Sequence, residues 1–108
     1  MAAKRTALIL GAGIMGLCSA WALNRAGWQV RVLDQAPIPN PRGASVDQHR
    51  LIRHAYGAQA GYMRMIDPAF QAWEMIWSAL GARHYVETGV LALADHPGGW
   101  LAESRAAG

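Results

Sequence analysis

The sequence predicts an α/β fold that opens with a β-α-β unit, and three observations predict it. The apolar run Thr6 to Leu10 ends at a glycine turn, helical spacing follows from Ile14 to Ala26, and a second apolar run covers Gln29 to Asp34. A strand, a helix and a second strand within about thirty residues form a right-handed parallel unit, because the crossover helix must pack back on the sheet.

Each element has its own reason. Thr6 to Leu10 lies between Lys4-Arg5 and Gly11, so it reads as a short strand buried on both faces. Between Ile14 and Ala26, small Gly16 and Ala20 alternate with apolar Leu17 and Leu23, Asn24 and Arg25 come near the end, and Gly27 caps it. Pro37, Pro39, Pro41 and Gly43 predict an extended surface loop or ligand-covering segment over residues 35 to 49. Leu51 to Tyr56 suits a short strand ended by Gly57. From Tyr62 to Leu80 apolar residues recur at helical spacing, with Met63, Phe70 and Met75 making the other side apolar too, so this helix expects cover on more than one face. Either it kinks at Asp67-Pro68, or it starts there with Asp67 as N-cap and Pro68 at the first position. Gly81 stops it. Tyr85-Val86 and Gly89 to Ala94 suggest a β-hairpin about Glu87-Thr88, and the Gly- and Ala-rich tail from His96 predicts no element.

The chain has 108 residues, enough for one small domain or part of a larger one. Ten Lys and Arg against seven Asp and Glu give a formal charge of +3, but the basic residues stand singly apart from Lys4-Arg5, which speaks against a nucleic-acid partner. Hydrophobic residues reach 53% and charged residues only 16%, against a usual charged share of about 25%. Five Trp and five Met in so short a chain lead to the expectation of further sequence that covers them. Cys18 is the lone cysteine, so a reducing, cytoplasmic setting is the default, and neither a disulfide nor a thiolate metal site is expected. Lys4-Arg5 before the uncharged run Ala7 to Asn24 imitates a signal peptide or membrane span. Gly11, Gly13 and Gly16 interrupt that run, and strand-turn-helix accounts for it more fully, so no membrane partner is expected.

The chemistry lies in Gly11-Ala12-Gly13-Ile14-Met15-Gly16, where the first strand meets the first helix. Gly11 permits the tight turn, Gly13 lets the backbone approach a pyrophosphate, and Gly16 lets the helix pack against the strand. Backbone N–H groups at the helix start, with the positive end of its dipole, then favour phosphate. Asp34, eighteen residues after Gly16 and followed by Gln35, places a carboxylate where it accepts hydrogen bonds from an adenosine ribose, and it would repel a 2′-phosphate. These six loop residues with Asp34 and Gln35 are the candidate dinucleotide contacts. The glycines alone do not separate FAD from NAD.

The segment Gly43 to Gly57, reading GASVDQHRLIRHAYG, resembles one found in FAD-dependent oxidoreductases of the D-amino acid oxidase superfamily, sarcosine oxidase-like. Tyr62 to Trp73 and Glu87-Thr88-Gly89-Val90-Leu91 continue the resemblance in the same order, so it spans nearly the whole chain. It implies a Rossmann-like FAD-binding segment at residues 1–50, and at 51–108 the truncated start of a substrate-side segment, with a helix and a β-hairpin in an incomplete fold. It also implies FAD as cofactor and a small-molecule amine or amino acid substrate. Ser45 would lie by the phosphates or flavin, Arg50 against the flavin ring, and Arg53 on a substrate carboxylate. Those roles suit the chemistry: a guanidinium fork matches a carboxylate, and a cation near the flavin stabilises its reduced, anionic form. On a plain strand, however, Arg50 and Arg53 would face opposite ways, which leaves one as a solvated charge.

The resemblance departs at Val46, where a histidine near the flavin would be expected. His49 is shifted and does not take that role. His54, His84 and His96 show no ligand spacing, so no metal is expected. Cys18 reads as a packing residue of the first helix. The expected function is therefore the N-terminal part of an enzyme that oxidises amines or amino acid derivatives by hydride transfer to flavin. An NAD-dependent dehydrogenase fragment and a non-catalytic nucleotide-binding module are the alternatives. Oligomeric state leaves no sign in the sequence.

Overall fold

Strand β1, Thr6–Leu10, and strand β2, Gln29–Leu33, pair in parallel with Thr6 opposite Gln29 and Leu10 opposite Leu33. The pairing runs past both ends: Gln29 N–H donates to the Arg5 carbonyl at 2.8 Å and Gly11 N–H to the Leu33 carbonyl at 2.7 Å. β-Branched Ile9, Val30 and Val32 favour this extended backbone. Helix α1, Ile14–Arg25, makes the crossover between the strands. It closes in a Schellman motif, with Gly27 N–H on the Asn24 carbonyl and Trp28 N–H on the Leu23 carbonyl, both at 3.0 Å. The cap residue is Ala26, and Gly27 takes the next position. β2 stops at Leu33, one residue short of the predicted end, and Asp34 opens the loop that follows.

This computed structural model describes residues 3–107 and divides the chain into two compact units, Met1–Leu51 and Ile52–Gly108. In the first, the strands alternate between exposed and half-buried residues. The sequence predicts β1 buried on both faces, but Leu8 is 61% and Leu10 78% exposed. A two-stranded sheet with one crossover helix cannot cover both faces, which parallel strands ordinarily require.

The second unit contains helix α2, Ala60–Leu80, and helix α3, Gly99–Ala107. α2 runs through Pro68, so it neither begins nor ends there. The missing N–H of Pro68 leaves the Arg64 carbonyl without its helical donor. Left-handed Gly81 ends the helix. Ile66 is its single buried residue, while Tyr62, Met65, Met75 and Leu80 are exposed.

Three expectations fail in this unit. Residues 51–56 form no strand, and neither do Tyr85-Val86 and Gly89–Ala94, so the described residues contain no β-hairpin. Strand-prone side chains need a neighbouring strand to bond, and a lone two-stranded hairpin is marginal in water. The tail, predicted to have no element, instead forms α3. Its Ser104 hydroxyl donates to the Trp100 carbonyl and accepts the Gly57 N–H, each at 2.8 Å. A nine-residue helix is too short to hold by itself, and this docking supplies what local propensity does not. Ala102, Ala106 and Ala107 after Gly98-Gly99 are the signal the sequence did carry.

Candidate functional site

The glycine turn and the end of β2 meet in the first unit. Gly11 adopts a positive φ of 101°, which carries the chain from β1 into α1. At Gly16 a side chain has no room, since a Cβ there would collide with the Gly11 carbonyl and crowd Ile9. The helix therefore sits directly on the strand end. Gly13 is the N-cap, with no side-chain cap of its own.

Ser45 supplies that cap from the following loop. Its Oγ accepts the Ile14 N–H at 2.8 Å, across 31 residues. A serine oxygen that accepts one bond still has its O–H to donate. The N–H groups of Met15 and Gly16, in the first turn of α1, have no intrahelical acceptor, as in any helix. The positive end of the helix dipole lies at the same place.

Asp34 is half-buried, and both of its oxygens accept bonds from the glycine turn and the loop after β2. Its Oδ2 accepts the Ala12 N–H at 2.8 Å, while Oδ1 accepts the Ala36 N–H at 3.1 Å and the Asn40 amide at 2.9 Å. These donors, the Ala12 N–H first and then Asn40 and Ala36, hold its carboxyl below the usual carboxylate range. Gln35 is exposed, and its backbone N–H adds a smaller effect of the same sign. A carboxylate has about four lone-pair sites, so three bonds leave Oδ2 one acceptor position. The site thus fits an ADP-containing dinucleotide on its own geometry: a glycine cradle that a Cβ would fill, helix-start donors, and a carboxylate with one acceptor to spare.

These residues belong to a known family. A family model described as "FAD dependent oxidoreductase" matches residues 6–108. The chain belongs to the FAD-dependent oxidoreductase family. It is similar to the peroxisomal sarcosine oxidase of Homo sapiens, 34% identical over 87 residues that cover 81% of this chain and 22% of the relative. The peroxisomal sarcosine oxidase of Mus musculus is 33% identical over 94 residues, 85% of this chain and 24% of that protein. N-methyl-L-tryptophan oxidase of Yersinia pestis (strain Pestoides F) is 27% identical over 86 residues, 80% of this chain and 23% of the other. The chain thus spans less than a quarter of the length of these relatives. No solved structure matches it. Membership in this family decides for FAD over NAD.

The remaining candidates of this family member lie outside the glycine turn. Arg50 is exposed and carries an ion pair to Asp47 at 3.9 Å. In the second unit, the Arg53 guanidinium lies over the Tyr56 ring at 5.1 Å and the Trp100 ring at 5.7 Å. Neither arginine is on a strand, so the alternation expected for Arg50 and Arg53 does not apply. Arg53 also borders a small cavity lined by Ile52, Tyr56, Tyr62, Met65, Phe70 and Trp73 among others. Cys18 is half-buried in α1, and burial pushes its thiol pKa up. Among the described residues, no group of His, Cys, Asp and Glu is placed to hold a metal ion, and no helix is long and apolar enough to cross a membrane.

Sequence reasoning missed Asn40 and the engagement of Asp34 with Ala12. Asn40 falls within the loop read from Pro37, Pro39, Pro41 and Gly43, a reading that does not single it out, yet an Asn within a Pro-rich turn is itself a side-chain hydrogen-bonding signal.

Proposed function

We propose that this chain is the cofactor-grasping front of a flavoenzyme that oxidises a small secondary or primary amine, an amino acid or its N-methyl derivative. One observation carries the reading: the glycine turn, Asp34 and Ser45 converge at one helix start in a member of a family that uses FAD. Residues 1–50 would hold the ADP half of FAD, and residues 51–108 would begin the substrate side. The exposed apolar residues of β1 and β2 support a larger domain around them, because a dinucleotide-binding sheet has about five or six strands. In such a sheet, the segments around Tyr85 and Val90 would find the partners a hairpin needs. A reducing, cytoplasmic setting is proposed on the lone Cys18 alone.

FAD supplies the hydride acceptor when bound, and the protein supplies binding and orientation. Gly11 to Gly16 would bring backbone donors to the pyrophosphate. Asp34 would accept a ribose hydroxyl at its remaining site, with Gln35 beside it, and Ser45 would donate its O–H to a phosphate oxygen. Arg50 would face the flavin, exchanging its exposed partner Asp47 for the ring edge. Arg53 would bind the substrate carboxylate. The names of the relatives, sarcosine oxidase and N-methyl-L-tryptophan oxidase, support an amine carrying a carboxylate.

The test is direct binding, followed by turnover. The purified chain is titrated with FAD and with ADP, and both are expected to bind, with Asp34→Ala weakening both. Absence of binding to either would overturn the reading. In the whole flavoenzyme of which this chain is the proposed front, anaerobic addition of sarcosine or another N-methyl amino acid should then bleach the visible flavin absorbance, whereas the chain by itself is expected not to catalyse this reduction. FAD binding by that whole protein without bleaching by any such amine would favour a non-catalytic nucleotide-binding module.

A further inference from the structure

Asn40 is hydrogen-bonded through both ends of its amide and through its backbone carbonyl. Its Nδ2 donates to Asp34 Oδ1 at 2.9 Å, its Oδ1 accepts the Arg42 N–H at 3.0 Å, and its backbone carbonyl accepts the Gly43 N–H at 2.9 Å. The Gly43 carbonyl in turn accepts the Val46 N–H at 3.3 Å, which closes the turn that contains Ser45. Ser45 places its hydroxyl on the first N–H of α1, at Ile14. The Asn40 side chain thus holds the carboxylate at the end of β2, and its backbone carbonyl holds the turn that carries the hydroxyl at the start of α1.

We propose that Asn40 is a positioning residue that sets Asp34 and Ser45 together for the two ends of the ADP half of FAD, the ribose and the phosphates. This rests on the FAD reading above and names a residue that reading does not use. The amide is suited to the task because its two ends differ. With Oδ1 already accepting a backbone N–H, only Nδ2 is left to face the carboxylate, so the amide orientation is determined. The donors to Asp34 are all neutral amides, so the carboxylate is fixed without being neutralised, and it keeps its charge for a hydroxyl. Aspartate at this position would keep the Arg42 bond but set two carboxylates against each other. Leucine would lose both bonds, and glutamine would be one methylene too long for the turn.

The experiment measures ADP and FAD affinity of the whole chain by calorimetry between pH 5 and 8, with the amide resonances of Ala12 and Ile14 followed by NMR. Asn40→Leu is expected to weaken both ligands about tenfold, the scale of one hydrogen bond to a charged group. It should also shift the Ala12 and Ile14 resonances together. Asn40→Asp separates positioning from mere loop stability. At pH 8 the two carboxylates repel and binding is weak; toward pH 5 the pair shares a proton, restores a donor to Asp34, and affinity recovers. Wild-type affinity in Asn40→Leu with both amides unmoved would overturn the proposal, as would an Asn40→Asp affinity that falls in parallel with wild type at every pH. Failure of the unaltered chain to bind either ligand would overturn the FAD reading and this proposal with it, and that outcome is distinct from the other two.

Discussion

The Asp34 carboxylate accepts the Ala12 backbone N–H at 2.8 Å, across 22 residues of chain, and so ties the end of β2 to the middle of the glycine turn. The carboxylate proposed as a ribose acceptor is thus also the strut of the glycine turn. The proposed ribose contact and the order of the loop would depend on one charge.

That charge has a pH signature. The Ala12 N–H, Asn40 and Ala36 lower the folded pKa of Asp34 below its usual value of about 3.9. A depressed carboxyl stabilises the folded state above its unfolded pKa and loses that contribution as pH falls through the folded value. The Ala12 amide resonance should therefore titrate with a midpoint below the usual carboxylate value. In Asp34→Asn the same resonance should not titrate there. A midpoint at or above 4 in the unaltered protein would contradict the hydrogen-bond assignment.

Gly16→Ala tests the close approach of α1 to β1. The added methyl would meet the Gly11 carbonyl, which is backbone and cannot swing away as a side-chain tip would. Overpacking of this kind costs about 1–3 kcal/mol. The urea midpoint should drop accordingly, and nucleotide binding should fall with it because the turn must open. Ala20→Gly in the same helix, which only adds backbone freedom, should cost about 1 kcal/mol or less. Equal losses in the two variants would show that Gly16 is ordinary helix.

Ser45→Ala removes the oxygen that caps Ile14. Loss of an N-cap acceptor costs about 0.5–2 kcal/mol, and the exposed setting of this bond places it toward the lower end. Hydrogen exchange at Ile14 should quicken, whereas exchange at Arg31, whose N–H faces β1 in the parallel pairing, should not. Ser45→Thr, which keeps the hydroxyl, should restore protection. Unchanged Ile14 exchange in Ser45→Ala would remove the cap and weaken the case for Ser45 as a phosphate donor.

The β-α-β unit was legible because each of its signals is local. The β1 and β2 runs, the glycine turn and the small residues of α1 declare their conformations within a few residues, and the bounds of β1 and the start of α1 agree with the structure. The second unit was less legible because its elements depend on distant partners. Leu51–Tyr56 has strand composition but forms no strand, and α3 depends on Ser104 reaching Gly57, a contact 47 residues apart. At the site, the glycines and Asp34 were readable as types in a pattern. What Asp34 bonds was not, since Ala12 shows only a methyl in the sequence and acts through its backbone.

Arg53 presents two demands that are compatible. Its guanidinium carbon lies 5.1 Å from the Tyr56 ring centroid and 5.7 Å from that of Trp100. A cation–π contact is electrostatic and takes up no particular N–H, so the donor fork stays available to a carboxylate. Exposed cation–π contacts contribute about 0.5–1 kcal/mol. Arg53→Met, which keeps an apolar stem over the rings, should lower stability by about that amount in urea unfolding followed by tryptophan fluorescence. Arg53→Lys should recover part of the stability, because an ammonium still sits over the rings, but it cannot form the bidentate pair. Sarcosine added to the unaltered chain should shift the Arg53 Nε–H resonance, and Arg53→Lys should bind at least several-fold more weakly. If sarcosine leaves that resonance in place while Arg53→Met still destabilises, Arg53 is a packing residue and the substrate carboxylate belongs to another group.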